Sequence, residues 1–275
     1  MIKPSVILLG SKPGAVVALE TLIARGWPVL AVVPSDQESH AFIHSETLSE
    51  AADRLGVPKY SSQQQLSGLR ADYVISYMFR HRVLPETLGL AVKAALNFHA
   101  GPLPEFGGWA FYNVAILEGV QEYGCTCHHM DSTFDTGPIV RVRKFPVNCE
   151  QETAFSLERK TQREMIILWQ QILDLLETGE SLACEPQDPA RMRYMNKATF
   201  MALKRIPDDA DAETIERIAR AFFYPPYDLA YLVHNGHPVA AIPRLANAQL
   251  GEWLHQDDLE NLRNVSRLHG NGEIQ

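Results

Sequence analysis

The chain has 275 residues, 46% hydrophobic and 21% charged, with a formal net charge of −8 at pH 7. That length holds one sizeable core plus a smaller appendage, and the acidic balance argues against a protein that grips DNA or tRNA through a basic surface. Cys125, Cys127, Cys149 and Cys184 are too few for a disulfide scaffold, and Cys125-x-Cys127 lacks the second pair of a zinc site, so all four read as buried, reduced thiols and no metal is expected.

"SVILLG" (5–10) reads as a buried strand, with no leader pattern before it and no apolar run of bilayer length anywhere. A cytoplasmic location without a membrane partner is therefore expected. "GAVVALETLIARG" (14–26) has helical spacing and a closing Gly26, "PVLAVVP" (28–34) is a second strand, and "SETLSEAADRLG" (45–56) is a helix with Ser45 as its cap. "ADYVISY" (71–77) and "AALNFH" (94–99) are the third and fourth strands. This rhythm predicts an α/β, Rossmann-like domain with a mostly parallel sheet. Gly10 and Gly14 lack the spacing of a dinucleotide fingerprint, so NAD is not expected; Gly10, Ser11 and Lys12, at the turn into the first helix, remain candidates for an acceptor's phosphate.

"WAFYNVAILEGV" (109–120) is a short helix, followed by the strands "YGCTCHHMD" (123–131) and "PIVRVRKFPV" (138–147) and an amphipathic helix over about 152–178. The basic strip "RVRK" (141–144) reads as a solvated strand face. "ACEPQDPARMRY" (183–194) reads as a linker, which divides the chain into a domain at 1–185 and an extension at 186–275. Within the extension, Asp211 caps a helix over 211–222, and Asn235-Gly236 marks a type I′ turn in a hairpin over 230–243. The open edge of that hairpin points to a homodimer.

The central segment carries the chemistry. Asn97 and His99 lie two apart at a strand end, so both face one side, where α/β sheets collect ligands. Taken singly, each reads equally as a turn residue or a satisfied polar group, and Asp135 before Thr136-Gly137 passes for a turn signal. Together the residues form a pattern: Asn97-Phe98-His99, Leu103-Pro104 with Gly108, then Gly124, Thr126, His128, Asp131, Asp135 and Gly137. The adjacent His128 and His129 point to opposite strand faces, which does not suit a metal site.

In these motifs the chain resembles the 10-formyltetrahydrofolate-dependent formyltransferases, over roughly residues 1–185 and more faintly beyond. The resemblance implies that the co-substrate is 10-formyltetrahydrofolate, that no metal is needed, and that Asn97, His99 and Asp135 are catalytic. Asn97 would donate to the oxyanion; His99 would take the amine proton or donate to the oxyanion; Asp135 would orient His99 and help move a proton to the leaving nitrogen. It further implies a folate pocket lined by Phe79, Arg80, Val83 and Leu84 on one side and by the 131–137 loop, with Asp131 and Gly137, on the other. Where relatives carry Ser and Arg in the proline-rich loop, this chain has Gly101 and Gly107, which removes an acceptor contact.

The extension is shorter and less basic than that of methionyl-tRNA formyltransferases and is like that of the nucleotide-sugar N-formyltransferases. The acceptor implied is a 3- or 4-amino-dideoxy sugar on a nucleoside diphosphate, destined for surface polysaccharide. Trp109, Phe222 and Tyr224 are expected to contact it, the aromatic segment Phe222, Phe223, Tyr224 and Tyr227 offering flat faces for a nucleobase. The alternatives are a non-sugar amine such as hydroxyornithine, hydrolysis with water as acceptor, or a non-catalytic folate- or nucleotide-binding module.

Overall fold

A computed structural model describes residues 3–35, 45–108, 110–179, 181–255 and 257–270; Trp109 lies outside the described residues. The central sheet has six strands in the order β2-β1-β3-β4-β6-β7. These are β1 (Val6–Gly10), β2 (Val29–Pro34), β3 (Ala71–Tyr77), β4 (Ala91–His99), β6 (Glu122–His129) and β7 (Ile139–Pro146). The first four run parallel, and β6 and β7 continue the sheet antiparallel. The short strand β5 (Gly107–Gly108) lies between β4 and β6 in the chain.

Both faces of the parallel half are covered. Val6 and Leu8 join the main core while Ile7 and Leu9 join a second one with Val33, Leu66 and Val74, so β1 is apolar throughout rather than alternating. Helices α1 (Lys12–Ala24) and α5 (Ala154–Thr178) pack on the main-core side. The ring of Phe98 on β4 stacks on Tyr77 at 5.6 Å and meets Trp169 of α5 at 5.1 Å. With Phe98 committed to that core, its neighbours Asn97 and His99 are turned to the opposite face.

Local signals explain most boundaries. Helix α2 (Leu48–Leu55) is capped by Thr47 rather than Ser45: the Thr47 hydroxyl accepts from Glu50 N while the Glu50 carboxylate accepts from Thr47 N, a reciprocal box that Ser45 is too far back to make. Helix α1 begins at Lys12, so Gly14 lies in its first turn; a Cβ there would come within 2.7 Å of the Tyr77 ring, and close packing is what its glycine serves. The short helices α3 (Pro85–Leu88) and α4 (Phe111–Glu118) complete the sheet's connections. Cys125, Cys127 and Cys149 are buried, but Cys184 is exposed.

After α5 come β8 (Tyr194–Met195), α6 (Lys197–Ala202), α7 (Ala212–Ala221), the hairpin β9 (Tyr231–His234) and β10 (His237–Ala240), α8 (Ala246–His255) and α9 (Asp258–Gly270). Asp211 caps α7 through Thr214 N at 2.8 Å, and Asn235 and Gly236 both take positive φ, as a type I′ turn requires. Helix α9 packs back on α1 and α5: Leu259 and Leu262 join the main core, Arg159 pairs with Asp258, and Arg263 pairs with Glu20 of α1.

Candidate active site

The site forms where β4 has a parallel neighbour on one side and an antiparallel one on the other. Antiparallel register sets His128 of β6 directly across from Asn97, and Thr126 across from His99, so four polar side chains share one face. Thr126 pins the proline-rich loop: its hydroxyl donates to Gly101 O at 2.8 Å and accepts from Leu103 N at 3.0 Å.

The hydrogen bonds fix protons as well as positions. Nδ1 of His128 lies 2.8 Å from His129 O, a carbonyl that can only accept, so Nδ1 carries the proton and Nε2 is bare. That bare nitrogen lies 3.0 Å from Asn97 Nδ2, which donates to it and thereby settles which end of the amide is which. Burial pushes the His128 imidazole down to about 4, keeping it a neutral acceptor near neutral pH.

This has a measurable consequence. The unfolded chain protonates His128 near its ordinary value of about 6.5, the folded chain only near 4. Its stabilising contribution is therefore complete above pH 6.5 and falls as the pH drops towards 4, by about 2 kcal/mol between pH 7 and 5. Urea unfolding at both pH values should show a smaller pH difference in His128→Gln than in the native chain; an equal difference would sink the assignment.

Nε2 of His99 donates to Phe106 O at 2.7 Å, which leaves Nδ1 facing Asp135 Oδ1 at 3.5 Å. Gly101 is what makes this contact possible, since a Cβ there would lie 2.7 Å from Phe106 O and 2.9 Å from His99 Nε2. Asp135 sits at φ 57, and its Oδ2 accepts from Gly108 N at 3.0 Å. Gln187 donates to the main-chain oxygens of both Asp135 and Gly137 at 2.8 Å, holding the loop from outside.

These groups open into a cavity of about 530 Å³, a size that holds a drug-sized ligand. Phe79, Arg80 and Val83 line one side and Asp131, Thr133 and Phe134 another, with Lys12, Phe111, Tyr194 and Tyr227 also in its wall. The carboxylate of Asp131 accepts from Thr133 and Thr136 and so shapes its own loop. Apolar Phe79 and Val83 beside the guanidinium groups of Arg80 and Arg82 suit a flat heterocycle with an anionic tail, which is the chemistry of a folate. Among the described residues, no group of three or more His, Cys, Asp or Glu side chains is placed to hold a metal ion.

Six of the expected residues lie outside this lining. Leu84 donates its N–H to Gln63, and Gly137 is pressed against β6, where a Cβ would come within 1.8 Å of His129 O. Gly10 is packed against Ala15, and the Ser11 hydroxyl donates to Met78 O at 2.6 Å. Phe222 is buried and stacked on Phe200 at 5.0 Å, and the Tyr224 hydroxyl accepts from Lys12 at 3.3 Å. The sequence motif includes His128 but not its place beside Asn97, for which cross-strand register was the signal, and it gives no sign of Phe111, Gln187 or Tyr194.

A family model described as formyl transferase matches residues 14–172. Methionyl-tRNA formyltransferase of Listeria innocua is 28% identical over 201 residues, covering 69% of this chain and 63% of that protein, so the chain spans just under two thirds of that relative. An N-formyltransferase from Helicobacter canadensis, solved with folinic acid and dTDP-3-aminofucose, shares the fold at a TM-score of 0.72 and 21% identity, over 87% of this chain and 86% of its own. A 4-N formyltransferase from Francisella tularensis does so at 0.71 and 17% identity, over 89% and 99%. With more than half of its residues matched by that model, and its sheet and site laid out as described, the chain belongs to the formyl transferase family.

Proposed function

We propose that the chain transfers the formyl group of 10-formyltetrahydrofolate to a primary amine on a nucleotide-linked amino sugar. The observation that carries this reading is the convergence of Asn97, His99 and Asp135 at the head of one cavity. The folate supplies an activated formyl group, and Phe79, Arg80, Val83 and the 131–137 loop would hold it. Asn97, with one amide N–H given to His128, turns the other to the formyl oxygen and stabilises the charge that builds there. His99 has Nε2 committed to Phe106 O, so Nδ1, before Asp135, is the atom that gains or loses a proton. The 3.5 Å separation leaves room for that pair to tighten once the cavity is filled.

The sugar acceptor is supported by two fold relatives: the Helicobacter canadensis enzyme is described in complex with dTDP-3-aminofucose, and the Francisella tularensis enzyme as a 4-N formyltransferase. A cytoplasmic role in making surface polysaccharide fits such an acceptor. A homodimer through the hairpin fits β10, whose four residues are all exposed.

The test is a turnover screen. Purified protein with 10-formyltetrahydrofolate is offered dTDP-, UDP- and GDP-linked 3- and 4-amino sugars, hydroxyornithine, or buffer alone, with tetrahydrofolate release as the readout. Release dependent on an amino sugar is the expected result. Release with hydroxyornithine alone would replace the acceptor, and equal release in buffer would mean hydrolysis.

A further inference from the structure

Three large aromatic side chains stand exposed at the cavity: Phe134, Tyr194 and Tyr227, at 48%, 59% and 48%. Phe134 rises from the same loop as Asp131, on the folate side. Tyr194 differs from the other two in how it is fixed. It belongs to β8, which pairs in parallel with β5 so that Gly107 stands opposite Tyr194 and Gly108 opposite Met195. Gly107 N donates to Arg193 O, and Arg193 N to Pro104 O, both at 3.2 Å. Ion pairs of Arg191 with Glu105 and of Arg193 with Glu118 peg the same strand on either side.

The ring of Tyr194 lies over Gly108. A Cβ at Gly108 would come within 2.7 Å of ring atoms Cδ2 and Cε2, so only glycine there lets the ring settle on the loop. Tyr194 and Phe111 are also the two residues shared by the large cavity and a neighbouring cleft of about 80 Å³ edged by Glu105 and Arg193. A flat ring held through its main chain, exposed, and set at the junction of two hollows has little side-chain freedom to lose when a flat ligand covers it.

We propose that Tyr194 is the platform on which the nucleobase of the acceptor stacks, with Gly108 beneath it, making this pair a determinant of acceptor specificity. The proposal rests on the nucleotide-linked acceptor argued above. It assigns to Tyr194 the role that sequence reasoning gave to Phe222, whose ring is already stacked on Phe200.

The experiment is calorimetric titration of the native chain, Tyr194→Ala, Tyr194→Leu and Tyr194→Phe with dTDP, UDP, GDP and pyrophosphate, with folinic acid as the check that each variant is folded. Tyr194→Ala and Tyr194→Leu should bind whichever nucleoside diphosphate the native chain prefers about tenfold more weakly, the usual effect of losing one base-stacking ring. Tyr194→Phe should bind it as the native chain does, and pyrophosphate and folinic acid should be unaffected throughout. Native affinity for the nucleoside diphosphate in a Tyr194→Ala or Tyr194→Leu chain that still binds folinic acid would overturn the platform and leave the acceptor reading standing. A native chain that binds folinic acid but none of dTDP, UDP and GDP would overturn both.

Discussion

Asp135→Asn is expected to lower kcat for formyl transfer by about 10³-fold while folinic acid binding stays unchanged. Asparagine keeps the size of the side chain and an oxygen for Gly108 N, which donates to Asp135 at 3.0 Å, so the loop need not move. What it removes is the negative charge 3.5 Å from His99 Nδ1. Without that charge the imidazolium formed during proton transfer has no counterion, and His99 is no longer a competent proton exchanger. His99→Ala should cost a similar factor, and the double variant little more than either single one, because the two act as a unit. Steady-state tetrahydrofolate release with a saturating acceptor measures kcat, and calorimetry with folinic acid separates lost chemistry from lost binding. Native turnover in Asp135→Asn would exclude the role given to this pair.

Lys12→Met should destabilise the fold by about 3–5 kcal/mol, a large part of what holds a domain together. The Lys12 ammonium pairs with the Glu158 carboxylate of α5, which is fully buried, and also donates to the Tyr224 hydroxyl. Burial drives Lys12 well below and Glu158 well above their ordinary values, so neither charge is tolerated there alone. Removing the lysine leaves the Glu158 carboxyl in the core without its partner, whereas Lys12→Met with Glu158→Leu removes both polar ends and should regain most of the loss. Urea unfolding of the two singles and the double decides it; a double variant less stable than both singles would show that the residues are not coupled in this way. Stability is the right readout because Lys12 also lines the cavity, where activity would mix two effects.

What the sequence made legible was whatever depends on short-range order. The strand and helix rhythm of the first hundred residues, the Asn235-Gly236 turn and the Asp211 cap are local, and each is present in the structure. Asn97 and His99 fell on one face because period two is a property of a single strand. His128 could not be assigned in that way, since its place opposite Asn97 is set by the register of two strands thirty-one residues apart. Residues 183–194 looked like a linker because they lack apolar periodicity. Yet this segment contributes Gln187, the main-chain bonds of Arg193 and part of β8, and such contacts leave little trace in residue type. Phe222 and Tyr227 show a related limit: both are aromatic residues near the same prolines, and only the fold makes one a core residue and leaves the other open.

The packing of α9 on α1 and α5 bears on how the chain is made. The residues proposed as catalytic lie within one continuous stretch, His99 and Asp135 being thirty-six positions apart, so their surroundings can begin to form while the chain is still on the ribosome. The groove between α1 and α5 waits longer. It is covered by Leu259 and Leu262 and clasped by Arg263 to Glu20 across 243 positions. Helix α1 is thus covered by α9, and the nascent chain carries an exposed apolar strip while the residues between the two helices are made. That strip is where a ribosome-associated chaperone would have most to shield, and a stop codon placed just before α9 would leave it bare for good.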